Sequence, residues 1–101
     1  MSVHELKRRL DAGEDLFILD VREPYEYQIA NIGGTLIPQN EVPQRLAEIG
    51  RNREIVVQCR SGGRSQRIAE FLAQQGYGNV KNLAGGILAW ADEIDPKVQK
   101  Y

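Results

Sequence analysis

The feature that most limits the fold is a pair of short apolar runs without polar alternation: LFILDV at residues 16–21 and IVV at residues 55–57. A strand that reads apolar at nearly every position is covered on both faces, which is the condition of strands in a parallel sheet. Parallel strands need crossovers, and the segments between these runs have helical spacing. Val3, Leu6 and Leu10 recur on one helical face behind Ser2 and Glu5, which are spaced as a capping box, and Gly13 offers a stop. Pro24 opens a short helical turn through Tyr27, and Thr35, Leu36 and Ile37 form a brief strand closed by Pro38. Val42, Leu46 and Ile49 predict a helix ended by Gly50, and Ile68, Phe71 and Leu72 predict another ended by Gly76. A short strand near Val80 and a helical turn around Trp90 complete the chain. Strands alternating with helices at this spacing predict an α/β domain with a mostly parallel sheet.

Length and charge narrow the classes of function. With 101 residues the chain can bury one core without staples, and it carries no repeat, linker or low-complexity segment. Residues 1–101 are therefore expected to form one domain, a single unit from near Ser2 to about Pro96. A formal net charge of −1 argues against a general affinity for nucleic acid. No stretch approaches the length that spans a bilayer, and MSVHELKRRL lacks the apolar run of a secretory signal. One cysteine cannot form an internal disulfide, so a reducing cytoplasm is the expected setting.

That cysteine opens the segment QCRSGGRSQR, residues 58–67, where the run IVV gives way to a helix. In open parallel sheets ligands bind beyond the carboxyl ends of the strands, so this loop is where chemistry is expected. Gly62 and Gly63 let the backbone curl until successive amides point at one centre, and the following helix adds its positive end. Such a cradle binds an anion. Arg60, Arg64 and Arg67 add positive charge, and nearby cations and a helix N-terminus both favour a thiolate. By residue type alone a lone cysteine after IVVQ is a packing residue. Packing needs neither a Gly-Gly turn nor flanking arginines, and the nucleophile reading is preferred for Cys59.

C-R-S-G-G-R-S resembles the active-site loop of the rhodanese family of sulfurtransferases. LDVREPYEY, residues 19–27, is similar to that family's Asp-Val-Arg segment, and NLAGGILAW, residues 82–90, to its closing Gly-Gly-x-x-x-Trp motif. The YQIAN and AWADEIDPKVQKY segments further resemble the rhodanese domain at the C-terminal end of adenylyltransferase and sulfurtransferase fusions of molybdopterin biosynthesis and tRNA thiolation. The resemblance implies a single α/β domain with a mostly parallel, five-stranded sheet flanked by helices. It implies that Cys59 accepts a sulfane sulfur as a persulfide and passes it on. The amides of residues 60–64, that is Arg60, Ser61, Gly62, Gly63 and Arg64, would hold the anion, and Arg60 and Arg64 would attract a donor. The implied donors are thiosulfate or the persulfide of a cysteine desulfurase. The implied acceptor is a ubiquitin-like sulfur carrier activated by an adenylating domain. No cofactor is required for this chemistry.

Other positions read as support. Asp20 and Arg22, at the end of a buried strand, are expected to form an ion pair that braces the site, and Trp90 to pack the last helix on the sheet. His4 is the only histidine and lies in the first helix, which leaves no Cys-His pair and no metal cluster. Where the family has Gly-His-Ile-Pro-Gly, this chain has Ala30, Asn31, Ile32, Gly33 and Gly34. Two alternatives stand beside sulfur transfer. Cysteine-dependent phosphatases of related fold use Cys-x5-Arg, whereas Cys59 to Arg64 is Cys-x4-Arg, a smaller cradle, and Gln58 stands where those enzymes have His. Non-catalytic binding modules of the family lose the cysteine that this chain keeps.

Overall fold

The computed structural model describes residues 1–101. Four strands, β1 (Leu16–Asp20), β2 (Thr35–Leu36), β3 (Glu54–Gln58) and β4 (Val80–Asn82), form one parallel sheet in the order β2-β1-β3-β4. Four α-helices flank it: α1 (Val3–Asp11), α2 (Pro24–Ile29), α3 (Gly63–Gln74) and α4 (Gly86–Glu93). The central pair runs in register from Leu16 opposite Glu54 to Asp20 opposite Gln58. These two strands hold the apolar runs, and the reason is burial on both sides. Leu19, Ile55 and Val57 face one cluster with Ile68, Ala69 and Leu72 of α3, while Val56 faces another with Val3 and Leu6 of α1 and, around it, Trp90 of α4. The molecule is thus three layers, with α3 on one face of the sheet and α1 and α4 on the other.

The sheet has four strands, not the five expected. At the fifth position stands a single residue. The Met1 amino group donates to Asn82 O at 2.8 Å, and the Met1 carbonyl accepts from the Ala84 amide at 2.8 Å. Ser2 then turns the chain into α1 as its N-cap, its hydroxyl accepting from Glu5 N at 3.0 Å, so the pairing does not continue past Met1.

The helix expected from Val42 to Ile49 is also replaced, by two 3-10 turns over Gln39–Gln44 and Leu46–Glu48. Pro43 lies inside the first and has no N–H to donate, and Arg45, at φ −120°, leaves the helical path between them. The bonds that close the turns are of the tighter kind, Arg45 N to Val42 O and Ile49 N to Leu46 O. Val42 and Ile49 are nevertheless buried, so the apolar spacing served the core without an α-helix.

Candidate active site

Cys59 follows β3 at its carboxyl end and is 1% exposed. Its neighbours on the sheet hold the strand end in place: Val21 N donates to Gln58 O at 3.1 Å, and Leu83 N to Val57 O at 2.9 Å. The next two carbonyls are taken by α4. Ile87 N donates to Cys59 O at 3.0 Å and Leu88 N to Arg60 O at 3.1 Å, so the first turn of α4 gains partners that its own helix cannot supply. Gly86 is what lets α4 approach so closely. A Cβ there would lie 2.3 Å from Cys59 O and 2.6 Å from Arg60 O, and its φ of +58° disfavours any other residue. With the loop carbonyls pulled outward to α4, the loop amides turn inward.

The inward donors meet at the sulfur. Gly62 N lies 3.1 Å from Cys59 Sγ, Ser65 N 3.4 Å and Ser65 Oγ 3.3 Å. Gly62 is the N-cap of α3 with φ +110°, a left-handed turn that bends the loop back over the thiol. Burial pushes the Cys59 thiol up, but the hydrogen bonds from the Ser65 hydroxyl and from the amides of Ser65, Gly62 and Ser61 outweigh it, and the thiol is held below its ordinary value. The amides of Gly63 and Arg64, in the first turn of the 12-residue α3, have no intrahelical carbonyl to pair with. They add an anion-favouring rim.

Of the expected site residues, Gly62 donates its amide to Sγ and the Ser61 amide favours the ionised sulfur, whereas Arg60 is exposed and its guanidinium lies 5.5 Å from the centroid of the Tyr101 ring. Arg64 does not point a free charge at the sulfur. It pairs through both nitrogens with Glu26, at 2.8 and 2.9 Å, and that carboxylate is 4% exposed. Glu26 also accepts from Glu23 N at 2.8 Å, closing the capping box of α2. Asp20 and Arg22 form a fully buried pair at 2.7 Å. Arg22 goes on to donate to Ala30 O at 2.7 Å and Glu26 O at 3.4 Å, so the pair ties the end of β1 to the last carbonyls of α2. Asp20 and Arg22 therefore place α2, α2 places Glu26, and Glu26 orients Arg64. Asn31 performs a local task beside them: its side chain accepts from Gly33 N at 2.9 Å and donates to Tyr27 O at 3.2 Å, an Asx-type closure of the turn after α2.

Three participants were not singled out from sequence. Glu26 carries a legible signal, its position three residues after Glu23 in a capping box. Ser65 ends the C-R-S-G-G-R-S motif, yet its contact with Sγ depends on the first turn of α3 bringing the hydroxyl round. Asn82 ends β4 and accepts from Ser65 Oγ at 2.5 Å, a contact that only strand pairing creates. Gln58 precedes the cysteine fully buried, with neither its side-chain oxygen nor its nitrogen paired, and nothing in the structure explains it.

The Cys59 sulfur thus lies beside the N-terminus of α3, within reach of the Gly62 and Ser65 amides and the Ser65 hydroxyl, under the left-handed turn at Gly62. The family model for the rhodanese-like domain matches residues 2–93. This chain belongs to the rhodanese-like family. A sulfurtransferase of Allochromatium vinosum is 45% identical over 87 residues, which cover 85% of this chain and 81% of the relative. The maize adenylyltransferase and sulfurtransferase MOCS3-2 is 34% identical over the whole of this rhodanese-like chain, which spans only 23% of that longer protein. Among solved structures, a rhodanese-related protein from Thermoplasma volcanium superposes with a TM-score of 0.86 at 31% identity, covering 100% of this chain and 97% of its own.

Proposed function

We infer that this rhodanese-like chain is a sulfurtransferase that carries a sulfane sulfur as a persulfide on Cys59. The observation that carries the reading is the convergence of Gly62 N, Ser65 N and Ser65 Oγ on Sγ within 3.4 Å. Those donors are set before reaction and favour a sulfur anion without reorganising. With thiosulfate, the Cys59 thiolate attacks the outer sulfur, the S–S bond to the sulfite group breaks, and sulfite leaves with its electron pair. The negative charge then rests on the outer sulfur of Cys59-S-S⁻, beside the amides of Gly63 and Arg64. A nucleophile such as cyanide takes that sulfur, and the Cys59 thiolate is restored.

The persulfide of a cysteine desulfurase would load the same sulfur by the same displacement. For the acceptor, the relationship to MOCS3-2 supports the activated C-terminal Gly-Gly of a ubiquitin-like carrier, with an adenylating domain as the activating partner. Arg60, exposed at the mouth, would steer an acidic partner. A reducing cytoplasm suits a chemistry that depends on one free thiol.

Intact mass spectrometry tests the reading. After thiosulfate the protein should gain the mass of one sulfur, cyanide should remove it, and Cys59→Ser should neither load nor turn over. Hydrolysis of aryl phosphates should stay at background. Loading of Cys59→Ser equal to wild type, or phosphatase turnover that disappears with Cys59, would reject it.

A further inference from the structure

Ser65 Oγ lies 3.3 Å from Cys59 Sγ and 2.5 Å from Asn82 Oδ1. A hydroxyl has one proton to donate, and an ionised sulfur and an amide oxygen are both acceptors. When Cys59 is protonated, its S–H donates to Ser65 Oγ and Ser65 donates on to Asn82, and every group in the row has a partner. When the thiol proton leaves to solvent, the Ser65 proton turns to the sulfur and Asn82 Oδ1 loses its donor. Asn82 cannot answer by turning its amide over. Its Nδ2 lies 3.4 Å from Gly62 O, and a flip would set two oxygens against each other on the residue whose amide holds the sulfur.

We propose that Asn82 is a positioning residue that competes with Cys59 for the single hydroxyl proton of Ser65, keeping it from a neutral sulfur and yielding it to a charged one. The competition concerns thiol and thiolate alone. Its consequence for transfer rests on the persulfide reading. Once the charge has moved to the outer sulfur, Cys59 Sγ is a neutral bridging atom and the Ser65 proton returns to Asn82. When the outer sulfur is taken, Sγ recovers a negative charge and the proton swings back. The proton stays on Ser65 oxygen throughout and only rotates about the Cβ–Oγ bond. The sulfur is thereby kept more basic, and more nucleophilic, than the amides and hydroxyl acting alone would leave it.

The rate of alkylation by iodoacetamide against pH, measured on the full chain, reads this directly. Removing the competitor in Asn82→Ala should lower the Cys59 midpoint by about 0.5–1 pH unit, the scale of one hydrogen bond. Ser65→Ala should raise it, and Asn82→Ala should add nothing in the Ser65→Ala background. A raised or unchanged midpoint in Asn82→Ala, or the same shift in both backgrounds, would overturn the proposal, since a mere clamp on the loop predicts those results. If Asn82→Ala does not fold, the near-isosteric Asn82→Asp replaces it. Its carboxylate should raise the midpoint more with Ser65 present than without, and equal shifts would overturn the proposal. Loading by thiosulfate, followed by mass in the same variants, separates the two readings. A protein that shows the midpoint pattern yet never gains sulfur loses the persulfide and keeps the competition.

Discussion

Arg64 directs its charge to Glu26, and Arg60 lies against the ring of Tyr101, so neither guanidinium donates to the Cys59 sulfur. The donors that do are one hydroxyl and a set of amides, at distances where hydrogen bonding rather than long-range attraction decides the charge state. From sequence alone Arg60 and Arg64 stand beside the loop amides and the helix N-terminus as sources of thiolate stabilisation. What cancels most of that for Arg64 is a carboxylate 38 residues away in the chain. The Cys59 alkylation midpoint is accordingly expected below the ordinary value of about 8.5, and Ser65→Ala should raise it more than Arg64→Ala or Arg60→Ala. Added salt should reduce the small arginine effects and leave that of Ser65 in place. A larger shift in Arg64→Ala than in Ser65→Ala would show that charge, not hydrogen bonding, governs the thiol.

At the level of elements, the site is assembled by short segments that lend each other their unsatisfied ends. α2 is six residues long and could not persist by its own propensity. Pro24, the box of Glu23 and Glu26, and the Arg22 guanidinium at its carboxyl end hold it, and it presents Glu26 to the loop. Pairing with Arg64 holds the Glu26 carboxyl below its ordinary range, against burial, which pushes it up. The sign follows: a carboxyl lowered in the folded state stabilises fully above its unfolded value of about 4.3, and that contribution is lost as pH falls through the folded value. Glu26→Gln should therefore cost about 1–3 kcal/mol at neutral pH, and the gap from wild type should close on acidification. Denaturant melts from about pH 7 to about pH 3 would measure both, and a gap that stays constant would remove Arg64 as the cause. The element boundaries that sequence missed have equally local causes. Apolar spacing located Val42 and Ile49 in the core, but spacing does not report that Pro43 forbids the α-type bond. Beside β4, Met1 bonds Asn82 and Ala84 and Ser2 then caps α1, so this segment adds no fifth strand.

Across the whole molecule, stability lies in the two faces of the sheet. Leu19 is fully buried in β1 and shares a cluster with Ile55, Val57 and Leu72. Leu19→Ala should cost about 2–5 kcal/mol. In a domain of this size that lowers the melting temperature by roughly 10 °C or more. Arg45 bonds Glu41 and Glu48 at 2.9 and 2.6 Å, but the Glu41 and Glu48 side chains are 54% and 50% exposed. Arg45→Ala should change stability by less than about 1 kcal/mol, because exposed ion pairs exchange one hydration for another. Thermal melts of the two variants would check the contrast, and comparable losses would mean that the sheet is not the principal store of stability.

In this rhodanese-like protein, whatever can be written in neighbouring residues is legible before folding. The unalternating runs require strands buried on both faces and hence a parallel sheet. The run into Cys59 puts the thiol at a carboxyl end, and Gly62 supplies the left-handed turn over it, while Gly63 is already the first residue of α3. These are local demands of backbone conformation and burial, and they leave few other solutions. The groups that complete the site come together only through packing. Ser65 reaches the sulfur only after the first turn of α3 is wound, and Asn82 reaches Ser65 only because β4 pairs with β3. Gly86 can bring α4 against the loop carbonyls only where the sheet and the helix meet. Glu26 quenches an arginine that sequence leaves exposed. Such partners are set by the distances that packing imposes between remote segments, and hydrogen bonds and screened charges act at just those distances.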